Sequence, residues 1–126
     1  MAITRLGIHD GKLAPCPERQ NCVSSDAADE GHYVAPLQIA ADPEQTWEAL
    51  NDLLAERPRT TIVTTTGEYL HVVEKSRFFG FIDDLEFHLR PEEEIIAVRS
   101  ASRKGYSDLG VNRRRVEEIR AELLSR

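Results

Sequence analysis

The apolar residues of this chain keep two different rhythms. From Trp47 they recur at helical spacing, as Trp47, Leu50, Leu53 and Leu54, which predicts an amphipathic helix with one face given to a core. Its start is well marked. Asp42 is a good N-cap, Pro43 suits the first helical position, and Gln45 has the spacing of a capping box. Arg57-Pro58 ends the helix, because proline disfavours a helical conformation in the residue before it. Beyond this point the sequence turns to strand. Thr60–Thr66 is almost wholly β-branched, Gly67-Glu68 makes a tight turn, and Tyr69–Lys75 follows. Phe78–Arg90, with Gly80 as a bulge or bend, and Glu94–Arg103 complete four strands. Connections this short join antiparallel neighbours, so the strands form a meander.

The last hairpin permits a register argument. Leu85, Phe87 and Leu89 alternate and should face the core. Pairing Leu89 with Glu94 across a four-residue loop sets Phe87 opposite Ile96, Leu85 opposite Val98, Asp84 opposite Arg99 and Asp83 opposite Ser100. A slip by one residue would set Arg99 against Leu85, burying a charge beside an apolar side chain. The preferred register leaves Asp84, Glu86, His88 and Arg99 on the face away from Leu85. A final helix is expected from Ser107 or Asp108, both good caps. Leu109, Val116, Ile119 and Leu123 form its stripe, with Asn112 in the middle, Arg113 and Arg120 flanking, and Arg114 and Glu118 outward. A core-facing asparagine must be hydrogen-bonded, or it costs roughly 1–3 kcal/mol.

The remaining segments are less regular. Pro36–Ala40 is a candidate edge strand. Residues 1–34 are rich in turn formers and read as an irregular arm, pinned near the cysteines to a core of residues 35–126 within one domain. The fold class expected is α+β: an antiparallel sheet of four or five strands, two helices packed on one face, and the arm preceding them.

Composition narrows the function classes. At 126 residues the chain can bury a core without staples, and its net charge of −6 argues against nucleic acid as a partner. The charge is unevenly placed. Val98–Arg120 holds seven Lys/Arg against three Asp/Glu, about +4, so the remainder carries nine against nineteen, about −10. Such a basic island is a candidate anion site or docking surface. No apolar run is long enough for a transmembrane helix, and the first residues lack the apolar stretch of a secretory signal. The expectation is therefore cytoplasmic, or periplasmic and envelope-associated if a targeting segment has been removed. No cofactor motif is present, and no cofactor is expected. Cys16 and Cys22, six apart, suit a small disulfide loop, structural thiols, or metal and redox chemistry. Two ligands at this spacing fall short of a zinc site, and no metal is expected.

The densest polar constellation is Arg99, Ser100, Ser102 and Arg103 at a strand end, followed by Asp108, Asn112 and Arg113 at the start of the closing helix. Arginine offers bidentate donors for phosphate or carboxylate, and a helix N-terminus favours anions. The alternative is structural, with these arginines paired to Asp83, Asp84 and Glu86 on the neighbouring strand. Those acids also allow an enzymatic reading, a hydrolase with Asp83, Asp84 or Glu86 as general base and Arg99 and Arg103 stabilising negative charge.

Three segments together resemble the bacterial and plastid domain-of-unknown-function family 1499. They are Leu13–Pro17 with Asn21–Ser25, Gly80–Asp84 with Glu86-Phe87, and Val98–Arg103 with Ser107–Arg113. Many members carry an N-terminal lipoprotein signal or membrane segment, so the resemblance implies an oxidising location and a Cys16–Cys22 disulfide. It implies no activity. The function expected is a non-enzymatic binding or scaffolding module, with the Arg99–Arg113 region contacting an anionic small molecule or a protein partner. The other two readings are the hydrolase and a structural component of a cell-envelope complex.

Overall fold

The computed structural model describes residues 6–40, 42–77, 80–105 and 110–126. Its largest element is an antiparallel sheet of six strands: β3 (Cys22–Ser24), β4 (Leu37–Gln38), β5 (Thr60–Thr65), β6 (Tyr69–Lys75), β7 (Ile82–Arg90) and β8 (Ile95–Ser102). Strands β5 to β8 form the expected meander. The candidate edge strand in Pro36–Ala40 forms as β4, and the arm contributes more than expected, because β3 pairs with β8 as well, each on its own stretch of that strand. Ahead of them, β1 (Ile8–His9) and β2 (Lys12–Leu13) make a separate small hairpin.

Helix α1 (Pro43–Glu56) forms where its signals lie. The Asp42 side chain accepts from the Glu44 N–H, and Arg57 is already extended ahead of Pro58. Helix α2 (Val111–Leu124) begins later than expected, after Gly110 in the left-handed conformation at φ +83°. The expected caps Ser107 and Asp108 lie outside the described residues, as does Leu109. Both helices cover one face of the sheet. Their Trp47, Leu50, Leu53, Leu54, Val116 and Ile119 pack with Leu70, Val72, Leu85, Phe87, Ile96 and Val98. The arm lies on the opposite face.

Two local expectations are corrected. Gly80 lies ahead of β7 rather than within it, because the strand starts at Ile82. The β7–β8 register is displaced by two residues: Leu89 faces Ile96, Phe87 faces Val98, Leu85 faces Ser100 and Glu86 faces Arg99. The turn explains this. Pro91 fixes φ for a 3-10 turn over Pro91–Glu93, and Glu94 closes it in the left-handed region, donating to the Pro91 carbonyl at 3.0 Å. The loop therefore begins one residue later and the paired strands meet one residue later. A shift of two preserves the faces, so Asp84, Glu86, His88 and Arg99 still point away from Leu85.

Core and rim should respond differently to truncation. Phe87, with no exposed surface, should lose roughly 3–5 kcal/mol on Phe87→Ala, whereas Val63→Ala, at a residue 54% exposed, should stay within about 0.5 kcal/mol. Urea denaturation of the two variants measures both.

Candidate functional site

Strand β8 sends polar side chains alternately to the two faces of the sheet, and both faces cover them. On the helix face Ser100 and Ser102 lie under Asn112, which is fully buried as its place in the stripe requires. The Ser100 hydroxyl donates to Asn112 Oδ1 at 2.6 Å, and Asn112 Nδ2 donates to the Ser102 hydroxyl and the Asn21 carbonyl at 2.9 and 3.2 Å. Beside them stands Arg115, only 5% exposed. Its guanidinium donates to Glu74 at 2.8 Å and to Asn112 at 2.7 Å, and pairs with Asp83 at 2.7 Å. Glu74 has a second cation, Arg57, at 2.8 Å, and Arg57 also binds Glu118 and Glu122. Burial pushes both carboxyls up. Two guanidiniums outweigh it at Glu74, which falls below its usual range, whereas Asp83 stays raised despite Arg115.

The arm face carries a second cluster. Arg99 is wholly enclosed. Its Nε and Nη2 donate to the Ala14 and Pro15 carbonyls at 2.9 and 3.2 Å. The third nitrogen, Nη1, lies 3.7 Å from Glu86 Oε1, and neither atom makes a hydrogen bond. Glu86 Oε2 is better served, accepting from the Gly7 N–H and from the Tyr69 hydroxyl, each at 2.6 Å. Burial, and then this carboxylate, pushes the Tyr69 phenol far above its ordinary value, while burial lowers that of Arg99 against the pull of Glu86. Farther along, Arg103 clasps Asp84 through Nε and Nη2 at 2.8 and 2.9 Å, and His71 Nε2 lies 2.9 Å from the same carboxyl. Burial raises the Asp84 carboxyl, but the Arg103 and His71 hydrogen bonds prevail and hold it at about 2. The arm is fastened at further points: Leu13 N–H donates to Asp26, Asp26 pairs with Arg90, and Cys16 is bonded to Cys22 beside β8.

The residues singled out from sequence are thus brought into the same region but divided by the sheet. Arg99 and Arg103 lie on the arm face, and Ser100, Ser102 and Asn112 on the helix face. Arg113 is exposed and donates to the Tyr33 and Gly31 carbonyls, tying α2 to the connection before β4. Asp108 lies outside the described residues. Of the three acids, Asp84 is held by Arg103 and Glu86 faces Arg99, whereas Asp83 turns to Arg115 under α2. Sequence reasoning passed over Arg115, although it stands three residues after Asn112 and four before Ile119, on the buried side of the helix. Glu74, Tyr69 and Asn21 gave no local signal, because their partners are distant in sequence.

A separate group is exposed. The strand ends that carry Lys75 and Arg103 are also reached by the α1–β5 connection and the β6–β7 loop. The Lys75 N–H donates to the Arg59 carbonyl, Ser76 to Phe81 and Arg103 to Ile82, and the Asn21 side chain holds the Lys104 carbonyl. Arg59, Lys75, Arg77, Arg103 and Lys104 are all exposed along this one end of the sheet. The opposite end, with the β5–β6 and β7–β8 turns and the start of α1, exposes Asp42, Glu44, Glu68, Glu92, Glu93 and Glu94.

Arg115→Met should destabilise the protein by roughly 3–5 kcal/mol, since it leaves the Asp83 carboxylate buried without its cation and Glu74 with Arg57 alone. A loss below about 1 kcal/mol in urea titration would mean that water already reaches these acids. Asp84 supplies a pH-dependent contribution. Its folded value of about 2 lies below the ordinary 3.8, so the stabilisation is complete above pH 4 and disappears as pH falls towards 2. Allowing for the half-exposed Arg103, Asp84→Asn should cost roughly 1–2 kcal/mol at neutral pH and little near pH 2. Thermal melts of both proteins across this range measure the difference.

Contacts among the arm, the β7 start, the β8 end and α2 join the three segments that gave the sequence its resemblance. A family model described as "Protein of unknown function (DUF1499)" matches residues 12–123. No curated protein matches the chain. The match starts with β2 and takes in the sheet, α1 and all but the last residue of α2, and on that coverage the chain belongs to the DUF1499 family.

Proposed function

We propose that this protein is a non-enzymatic binding module that docks an anionic partner on the cationic end of its sheet. One observation carries the reading: five exposed cations, Arg59, Lys75, Arg77, Arg103 and Lys104, group at one end of the sheet, with six exposed acids at the other and with Glu118 and Glu122, both engaged by Arg57, on the helix side of the cationic end. Arg103 is partly neutralised by Asp84, but Arg59, Lys75, Arg77 and Lys104 pair with no acid among the described residues. Cations grouped in this way repel one another and raise the local potential, which attracts an anionic surface and speeds its approach. The interior clusters support the same reading from the other side. Asp83, Asp84 and Glu86 are at most 7% exposed and each is engaged by a cation or a donor, whereas a general base needs an open path to its substrate. Arg99, Ser100, Ser102 and Asn112 serve the fold in this reading, and of the basic island Arg103 and Lys104 serve the docking surface.

Titration with inorganic polyphosphate at low salt tests the proposal. Binding is expected, weakening as salt is added and falling about tenfold or more in Arg77→Glu/Lys104→Glu, with Glu92→Lys/Glu93→Lys leaving it undiminished. Absence of binding, or equal loss from changes at either end, would overturn the reading. Circular dichroism of each variant confirms that the fold is retained.

A further inference from the structure

The cationic end is not purely ionic. The β6–β7 connection reads Ser76-Arg77-Phe78-Phe79-Gly80-Phe81, so three of the chain's four phenylalanines stand in it. Of these, Phe81 is held at the neck of the loop, its carbonyl accepting from the Ser76 N–H at 2.8 Å and its N–H donating to the Ser76 hydroxyl at 2.9 Å. The residue is 57% exposed. A single exposed apolar side chain is commonplace. A large aromatic residue whose backbone is held at a loop neck, on the rim that also exposes Arg59, Lys75, Arg77, Arg103 and Lys104, is a more specific arrangement.

We propose that the anionic partner is a lipid bilayer, with the exposed cations of this rim against acidic headgroups and the Phe81 ring entering the boundary between headgroups and acyl chains. The proposal rests on the docking reading above and commits it to one partner. The physical ground is that two different interactions are offered together. Lysine and arginine lower the free energy of approach to an acidic leaflet, each contributing independently near the surface. An aromatic ring gains by leaving water for the interfacial region, a gain that a soluble phosphate cannot supply. The charges come from three separate connections and the end of β6, so they spread over a rim rather than converging on one point. A rim of this kind suits an extended charged surface. The acidic end lies at the far ends of the same strands, so it orients the molecule with its negative side away from the leaflet.

Co-sedimentation of the full chain with vesicles tests this, using phosphatidylcholine alone, phosphatidylcholine with phosphatidylglycerol, and soluble polyphosphate as a competitor. Binding to the phosphatidylglycerol vesicles and not to phosphatidylcholine is expected. Arg77→Gln/Lys104→Gln should weaken it about 30-fold at low salt. Phe81→Ser should weaken vesicle binding about tenfold while leaving polyphosphate binding unchanged. Polyphosphate binding without vesicle binding would overturn the lipid proposal and leave the docking reading standing, and loss of both would overturn both. Vesicle binding that ignores Phe81→Ser would also overturn the proposal, because it would show contact by charge alone.

Discussion

The structure depends on the alternation of strand β8, which is buried on both faces and polar at one end. Ser100 and Ser102 point to the helices, while Arg99 points to the arm. A polar strand between two covers is unstable unless each cover brings matching groups, since a buried guanidinium or hydroxyl without partners costs several times what a hydrogen bond returns. Asn112 and Arg115 bring them from α2, and the carbonyls of Ala14 and Pro15 bring them from the arm. In this light the arm is a necessary layer. Without it Arg99 and Glu86 would lie in the middle of an open sheet face, and the Cys16–Cys22 bond sits next to the two carbonyls that Arg99 needs.

Much of this could be read from the sequence where the controlling interactions are local. The Asp42 cap, the stop before Pro58 and the β-branched run of β5 act within a few residues, and each formed where its signal lay. The face assignment of β7 followed from the pleat alone and survived an error of two in the register. That error arose because the expected pairing was judged by side-chain chemistry, Asp84 against Arg99, whereas the turn was set by backbone geometry at Pro91 and Glu94. Asn112 was found by helical periodicity. Arg115 was not, because an arginine is assigned to solvent by habit, and only the acids on two different strands make its burial tolerable. Tyr69 and His71 were invisible for the same reason: their partners Glu86 and Asp84 are one strand away.

The two interior clusters differ in how completely they are satisfied. Under α2 the guanidinium of Arg115 reaches Glu74, Asp83, Asn112 and Ser100 with all three nitrogens. Under the arm, Arg99 and Glu86 are both fully enclosed and meet at 3.7 Å, too far for a hydrogen bond. Their attraction is therefore Coulombic, strengthened by the low dielectric around them, and it acts against the desolvation that lowers the Arg99 pKa. A pair of this kind favours one arrangement of arm on sheet over others more than it adds net stability, because a displaced arm would leave either charge alone.

The way charge is divided between interior and surface bears on function. Arg57, Arg90, Arg99 and Arg115, all buried or largely so, face acids of the chain's own and are fully accounted for by folding. Folding places no such demand on Arg59, Arg77 or Lys104, which lie on solvated connections, or on Lys75 at an exposed strand end, where any polar residue would serve. Their mutual repulsion is a small cost to stability that no ion pair among the described residues offsets. On a chain whose net charge is −6, with acids enough to intersperse among them, their grouping at one end of the sheet is a departure from the mixed surface that solubility alone favours. The interior arginines explain the fold, and the grouping of the exterior ones is the ground on which a docking partner is proposed.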